Sequence, residues 1–132
     1  MAEGGFRGYI GCRPIGGHRV PQHVQNLVIR DYAQRRGLAY RLSAAEYVMP
    51  GCYLMLEQAL GELEPGGGLI AYSLFMLPSS AEHRRRVWRR ILEGGASFHA
   101  AVEEQVLEDE SDLERLETLF QVHAALPRAW RP

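Results

Sequence analysis

The stretch Arg7-Gly-Tyr-Ile-Gly-Cys-Arg-Pro-Ile-Gly-Gly-His-Arg-Val-Pro-Gln-His-Val-Gln-Asn-Leu-Val-Ile-Arg-Asp-Tyr32 decides the fold. Residues 6–12 read as a short strand, the residues after them are rich in glycine and polar side chains, and Pro21 stands where proline is tolerated in a first helical turn. A helix is therefore expected over 21–36, stopped by Gly37. Strand, polar loop and helix in that order are the layout of a ligand site at the C-terminal edge of a parallel sheet.

Outward from this unit the alternation repeats. A second strand is expected over 38–43 and a loop over 46–51, then a helix in which Cys52, Leu56, Ala59, Leu60 and Leu63 recur at helical spacing before Pro65-Gly-Gly-Gly68. The apolar run 69–74 reads as a central buried strand. A third helix fits 80–92 with Ser79 or Ser80 as N-cap, a fourth strand 96–102, and a final helix 111–126 with acids in its first turn. Four rounds of strand and helix predict the α/β class: a doubly wound, mostly parallel sheet of four or five strands. One domain is expected over 1–132, with an irregular tail at 127–132.

Composition narrows the function. A net charge of -1 and a pI near 6.5 provide no bulk field for nucleic acid or an anionic membrane, so neither is expected as a partner. All 15 basic residues are arginine. Without lysine there is no Schiff-base chemistry and no covalent pyridoxal attachment, while arginine suits bidentate grip on carboxylate or phosphate. Cys12 and Cys52 stand in no metal-knuckle or disulfide spacing, and His18, His23, His83, His99 and His123 are scattered, so no metal and no cofactor is expected. No leader pattern and no apolar run of about 20 residues is present, which predicts a soluble, cytoplasmic protein.

Three strand ends would supply one cleft. The first loop offers Arg13, His18 and Arg19, with Gln22, Gln25 and Asn26 in the first helical turns and Gly16-Gly17 allowing close backbone approach. Such donors near a helix start suit a phosphate, a carboxylate or a polyhydroxylated ring. Glu46 and Tyr47 lie in the loop after the second strand, where it should face the first loop; a half-buried carboxylate there could work as acid or base, or could instead pair with Arg13 or Arg19 and fix the loop. Tyr72 and Ser73 close the third strand. Cys12 at the end of the first is a possible nucleophile or an inert packing residue. His18 is a second candidate for proton transfer. The run Glu82-His-Arg-Arg-Arg-Val-Trp-Arg-Arg90 gives a basic helix face that could touch nucleic acid or an acidic partner, but it reads rather as a solvated face, with the acidic stretch 103–114 as an internal or inter-subunit complement.

The order of elements over about 7–106 resembles the catalytic domain of serine recombinases, the resolvases and invertases, which implies a resolvase-like three-layer sandwich. Those enzymes carry a nucleophilic serine in the first loop and an Asp-Arg pair after the third strand. This chain has Gly11-Cys-Arg-Pro-Ile-Gly-Gly17 in the first place and Leu74-Phe-Met-Leu-Pro78 in the second, so recombination is not expected. The blocks Arg7-Gly-Tyr-Ile10, Arg13-Pro14, Arg19-Val-Pro-Gln22, Gln25-Asn-Leu-Val-Ile-Arg-Asp-Tyr32, Leu42-Ser-Ala-Ala-Glu-Tyr47, Tyr53-Leu-Met-Leu56 and Tyr72-Ser-Leu-Phe-Met-Leu-Pro78 are similar to the sporadic carbohydrate cluster proteins, found beside bacterial sugar and secondary-metabolite genes. That resemblance implies a pathway type and no mechanism.

The residues, together with the pathway type that the resemblance implies, lead to two expectations. One is a small cofactor-independent isomerase, epimerase or lyase acting on a polar sugar-derived or secondary-metabolite intermediate. In it Arg13, Arg19, Gln22 and Asn26 hold the substrate, Tyr72 and Ser73 orient it, and Glu46, His18 and Tyr47 supply acid/base chemistry. The other is a non-catalytic metabolite- or partner-binding accessory protein. A two-fold homodimer is expected through the last helix, on Leu113, Leu116, Leu119, Phe120 and Val122.

Overall fold

A computed structural model describes residues 4–15, 18–47, 49 and 51–126. Gly16-Gly17 and the tail 127–132, assigned above a close backbone approach and an irregular course, lie outside the described residues. Strands β1 (Phe6–Gly11), β2 (Ala44–Glu46), β3 (Gly68–Ala71), β4 (Ser97–Ala100) and β5 (Gln105–Leu107) form one sheet in the order β2-β1-β3-β4-β5. Every pairing is parallel except β4 with β5. The helices are α1 (Gln22–Arg36), α2 (Leu54–Gly61), α3 (Ala81–Glu93) and α4 (Leu113–Ala125). This is the expected doubly wound α/β sandwich.

Side-chain alternation along the strands splits the interior in two. Phe6, Ile10 and Ile70 face α1, whose Ile29, Tyr32 and Ala33 close over them. Tyr9, Leu69, Ala71, Phe98 and Ala100 face the other way, beneath Leu56 and Leu60 of α2, Val87, Trp88 and Ile91 of α3, and Leu116 and Phe120 of α4. Each valine, leucine, isoleucine or phenylalanine among them stabilises the fold by about 1.5–3 kcal/mol when fully buried. Helix α1 ends where Gly37 takes the left-handed conformation at φ 67°, as expected of a C-terminal glycine. Ser80 caps α3 by accepting the His83 N–H at 3.2 Å.

Several boundaries differ from the sequence reading. The second strand begins at Ala44 and not near 38, because the preceding residues are held by other bonds. Tyr40 makes only an isolated bridge to Phe6, and the Ser43 hydroxyl donates to Asn26 Oδ1 at 2.6 Å. The third strand stops at Ala71. Ser73 then accepts the Phe75 N–H at 3.2 Å and starts a short 3-10 turn, Leu74–Met76. The fourth strand ends at Ala100, and the chain folds back through Glu104, whose φ is 54°, into β5. That hairpin takes up part of the stretch 103–114, read from sequence as the acidic complement of the arginine-rich helix.

The arginine-rich helix is tied down by its neighbours. Arg84 is buried and donates from Nε and Nη2 to both Glu117 oxygens at 3.0 and 2.8 Å, and from Nη1 to the Pro78 and Ser79 carbonyls. Trp88 adds an indole N–H to Glu117 at 2.8 Å, and Arg90 pairs with Glu57 of α2. Arg84 and Trp88 together hold the Glu117 carboxyl below its ordinary range, with the Arg84 hydrogen bond the leading cause. Helix α4 in turn spends Leu116 and Phe120 on its own core and packs Leu113 and Leu119 against it, leaving Val122 half exposed.

Candidate functional site

The parallel register sets the ends of β1, β2 and β3 along one edge: Gly11 lies beside Glu46, and Tyr9 beside Ala71. Beyond Gly11 the chain leaves the sheet through Cys12 and Arg13, and Ile15 and His18 exchange backbone hydrogen bonds of 2.7 and 3.0 Å that fold the loop back. Arg13 lies with its guanidinium carbon 4.4 Å from the centre of the Tyr53 ring. Together with Pro14, Ile15 and Tyr53 it forms one wall of a cleft of about 150 Å³; Phe75, Leu77 and Ser79 form the other. No carboxylate lies within 4.0 Å of Arg13 among the described residues. The ion pair with Glu46 that would have fixed the loop is not formed.

Glu46 is buried, not half-buried, and is the last residue of β2. Its Oε2 accepts the Tyr9 hydroxyl at 2.7 Å and the Leu56 N–H at 3.0 Å. Its Oε1 accepts the Met55 N–H at 3.0 Å and the Tyr47 N–H at 3.3 Å. Two of those donors are orphan amides of the first turn of α2, so the carboxylate does the work that an N-capping side chain does elsewhere. Burial, with the Glu46 hydrogen bond second, pushes the Tyr9 phenol far above its ordinary value and keeps it a donor. The arrangement anchors α2 to the end of β2.

The other expected residues divide between the two faces of the edge. Gln25 is fully buried: its amide donates to the Gly11 and Val20 carbonyls at 2.6 and 2.8 Å, and its oxygen accepts the Gly11 N–H at 3.1 Å. It closes the free end of β1. Asn26 accepts from Ser43 and, at 3.5 Å, from Tyr40, on the α1 side. Gln22 donates to the half-buried Cys12 sulfur at 2.8 Å. His18, Arg19 and Tyr47 are exposed, and Tyr72 lies half-buried between the two cores. Ser73 is buried and donates to Glu103 Oε2 at 2.7 Å, while Glu103 Oε1 accepts the Leu74 N–H at 2.7 Å. Of the residues named from sequence, Arg13 lines the cleft; Gln22, Asn26, Glu46 and Ser73 surround that edge in separate hydrogen-bonded groups.

Tyr9, Tyr53, Phe75 and Glu103 were not singled out as site residues. Tyr53 and Phe75 stand inside the blocks Tyr53-Leu-Met-Leu56 and Tyr72-Ser-Leu-Phe-Met-Leu-Pro78, which was the available signal. Glu103 had none, because it reaches Ser73 only through the β4–β5 hairpin. Among the described residues no group of three or more His, Cys, Asp or Glu side chains could hold a metal ion, and no helix is long and apolar enough to cross a membrane.

No family model and no curated protein matches this chain. Among solved structures, the N-terminal catalytic domain of TP901-1 integrase is similar at 14% identity, over 89% of this chain and 94% of that one, with a TM-score of 0.57. At that identity the likeness establishes architecture alone: the chain has the α/β fold of a recombinase catalytic domain, as its order of elements led one to expect.

Proposed function

We propose that this chain is a small enzyme of the sporadic carbohydrate cluster type, acting on a polar, anionic, sugar-derived or secondary-metabolite intermediate. The reaction is an isomerisation, epimerisation or elimination run by acid/base chemistry without a bound cofactor. Arg13 carries the reading. A half-buried guanidinium stacked on Tyr53 at a cleft wall, with no carboxylate within 4.0 Å of it among the described residues, is matched to an anion that brings the missing charge. Arg19 adds a second cation on the same loop, and Gln22 a further amide. His18, exposed and placed by its backbone pairing with Ile15, is the proton-transfer group of this proposal; Cys12 beside Gln22 is the alternative nucleophile. Glu46 and Tyr9 support the site from below. The homodimer through α4 is part of the same proposal, with Val122 the exposed apolar residue it would cover.

The saturation of Glu46 favours a second reading, a non-catalytic binding protein that uses the same cleft. Calorimetric titration with a panel of sugar phosphates and hexuronates, followed by NMR of the mixtures, separates the two. Arg13→Gln is expected to weaken binding at least tenfold, about 1.4 kcal/mol, with an unchanged unfolding midpoint. Turnover that His18→Gln abolishes supports the enzyme; binding without turnover supports the accessory protein. Binding indifferent to Arg13, or no binding, removes the site.

A further inference from the structure

At the opposite edge of the sheet, where the parallel strands begin, lies a larger cavity of about 650 Å³. Its first wall is the segment before β2. Phe6 donates to the Ala39 carbonyl at 2.8 Å and Arg41 donates to the Phe6 carbonyl at 2.7 Å, which hold Tyr40, Arg41 and Leu42 along the start of β1. Its second wall is the end of α2, with Glu62, Leu63 and Glu64. Gly5 and Gly68 form the floor between them. A Cβ on Gly5 would stand 2.4 Å from Arg41 Nε, so the glycine is what lets that side chain lie across the strand.

The charges in this cavity are unevenly matched. Arg7 and Glu62 form an ion pair and neutralise each other, and Arg7 Nε also donates to the Leu42 carbonyl at 2.5 Å. Arg41 and Glu64 are left over. Among the described residues neither has an ionic partner within 4.0 Å, yet both flank Gly5, whose N–H donates to Glu64 Oε1 at 3.2 Å. One cation and one anion therefore face a shared space without meeting. Apolar surface from Leu63 and the strongly exposed Leu42 lies beside them. A dianionic phosphate would gain Arg41 but meet two carboxylates. A molecule that carries both signs on one carbon satisfies both walls.

We propose that this cavity is a second small-molecule site, for an α-amino acid with an apolar side chain, its carboxylate on Arg41 and its ammonium on Glu64. It is independent of the Arg13 cleft, and its volume is in the range of small-molecule pockets. The probe is L-leucine, titrated into isotope-labelled protein and followed by amide NMR, with L-leucinamide and 4-methylpentanoate as the two single-charge comparators. Leucine is expected to shift the amides of Gly5, Arg41 and Leu63, and each comparator to bind at least tenfold more weakly. Arg41→Gln and Glu64→Gln, both on exposed side chains, are expected to weaken leucine at least tenfold each while leaving the rest of the spectrum in place. Absence of shifts up to about 10 mM leucine overturns the proposal, as does a comparator that binds as tightly as leucine. Shifts at Arg13 and Tyr53 report the other cleft, so each site is scored on its own amides.

Discussion

Glu46 shows how a residue can be in the right place for chemistry and be spent on structure. A carboxylate has room for about four acceptor interactions, and here Tyr9, Tyr47, Met55 and Leu56 occupy them. Glutamine at this position would turn an NH2 group toward an N–H or O–H donor, leaving buried donors unsatisfied. Glu46→Gln is therefore expected to cost about 2 kcal/mol, and Tyr9→Phe about 1–2 kcal/mol, read from urea midpoints. An unchanged midpoint for Glu46→Gln would refute the anchoring role. The nearness of Glu46 to the C-terminal edge of the sheet was legible in the sequence, but its place within β2 was not, since the strand was expected to end at 43. Nor was its partner, since the Tyr9 contact depends on the β1–β2 register, which no local pattern specifies.

His99 is the buried histidine of this molecule whose protonation matters to folding. Its ring lies between the Tyr32 hydroxyl at 2.7 Å and the Ser97 hydroxyl at 3.0 Å, with Phe6 edge-on. Burial first, and the Arg36 charge second, lower its pKa to about 4. The folded state therefore refuses a proton that the unfolded chain accepts near its ordinary value of about 6.5. Stability from this group is complete above that value and is lost as pH falls toward the folded pKa. Between pH 7 and 4.5 the wild type is expected to lose about 2 kcal/mol that His99→Gln does not lose, measured by denaturant unfolding at both pH values. Parallel pH dependence of the two proteins would contradict the assignment.

At the scale of elements, the basic helix was open to a sharper reading than a charged face. Arg84, Val87, Trp88 and Ile91 recur at the spacing of one buried stripe, and all four are buried in α3. Arg84 thus belonged to the inward face, needing a carboxylate, and Glu117 on α4 meets it with two oxygens. Arg84→Ala is expected to cost about 3 kcal/mol by stranding Glu117 and two carbonyls, whereas Arg89→Ala, exposed and outside that network, should change stability by less than about 0.5 kcal/mol. Thermal unfolding of the pair tests it, and equal effects would sink the docking argument. The helices were readable because caps and periodicity are local. Strand ends were not, because Ser43 and Ser73 divert the backbone through side-chain bonds that depend on Asn26 and Glu103, far away in sequence.

At the scale of the molecule, the shared architecture with a recombinase catalytic domain raises the question of DNA, and charge distribution bears on it. Non-specific duplex binding needs a row of cations free to replace counterions. Here seven arginines are matched within the chain: Arg7 with Glu62, Arg35 with Asp31, Arg36 with Glu104, Arg84 with Glu117, Arg86 with Glu82, Arg90 with Glu57 and Arg115 with Asp112. Among the described residues Arg13, Arg19, Arg30, Arg41, Arg85 and Arg89 have no carboxylate within 4.0 Å, and they are spread over the molecule: Arg13 and Arg19 on one loop, Arg30 on α1, Arg41 at the other edge of the sheet, and Arg85 with Arg89 on α3, so no more than two share an element. With a net charge of -1 the chain is expected to bind duplex DNA more weakly than about 10⁻⁴ M at physiological salt, the weak end of non-specific binding. Fluorescence anisotropy with a labelled duplex measures this. Tighter binding that falls steeply with added salt would mean that the exposed arginines, Arg85 and Arg89 of α3 among them, gather phosphates despite their spread, and the metabolite reading of Arg13 would then have to compete with a nucleic-acid one.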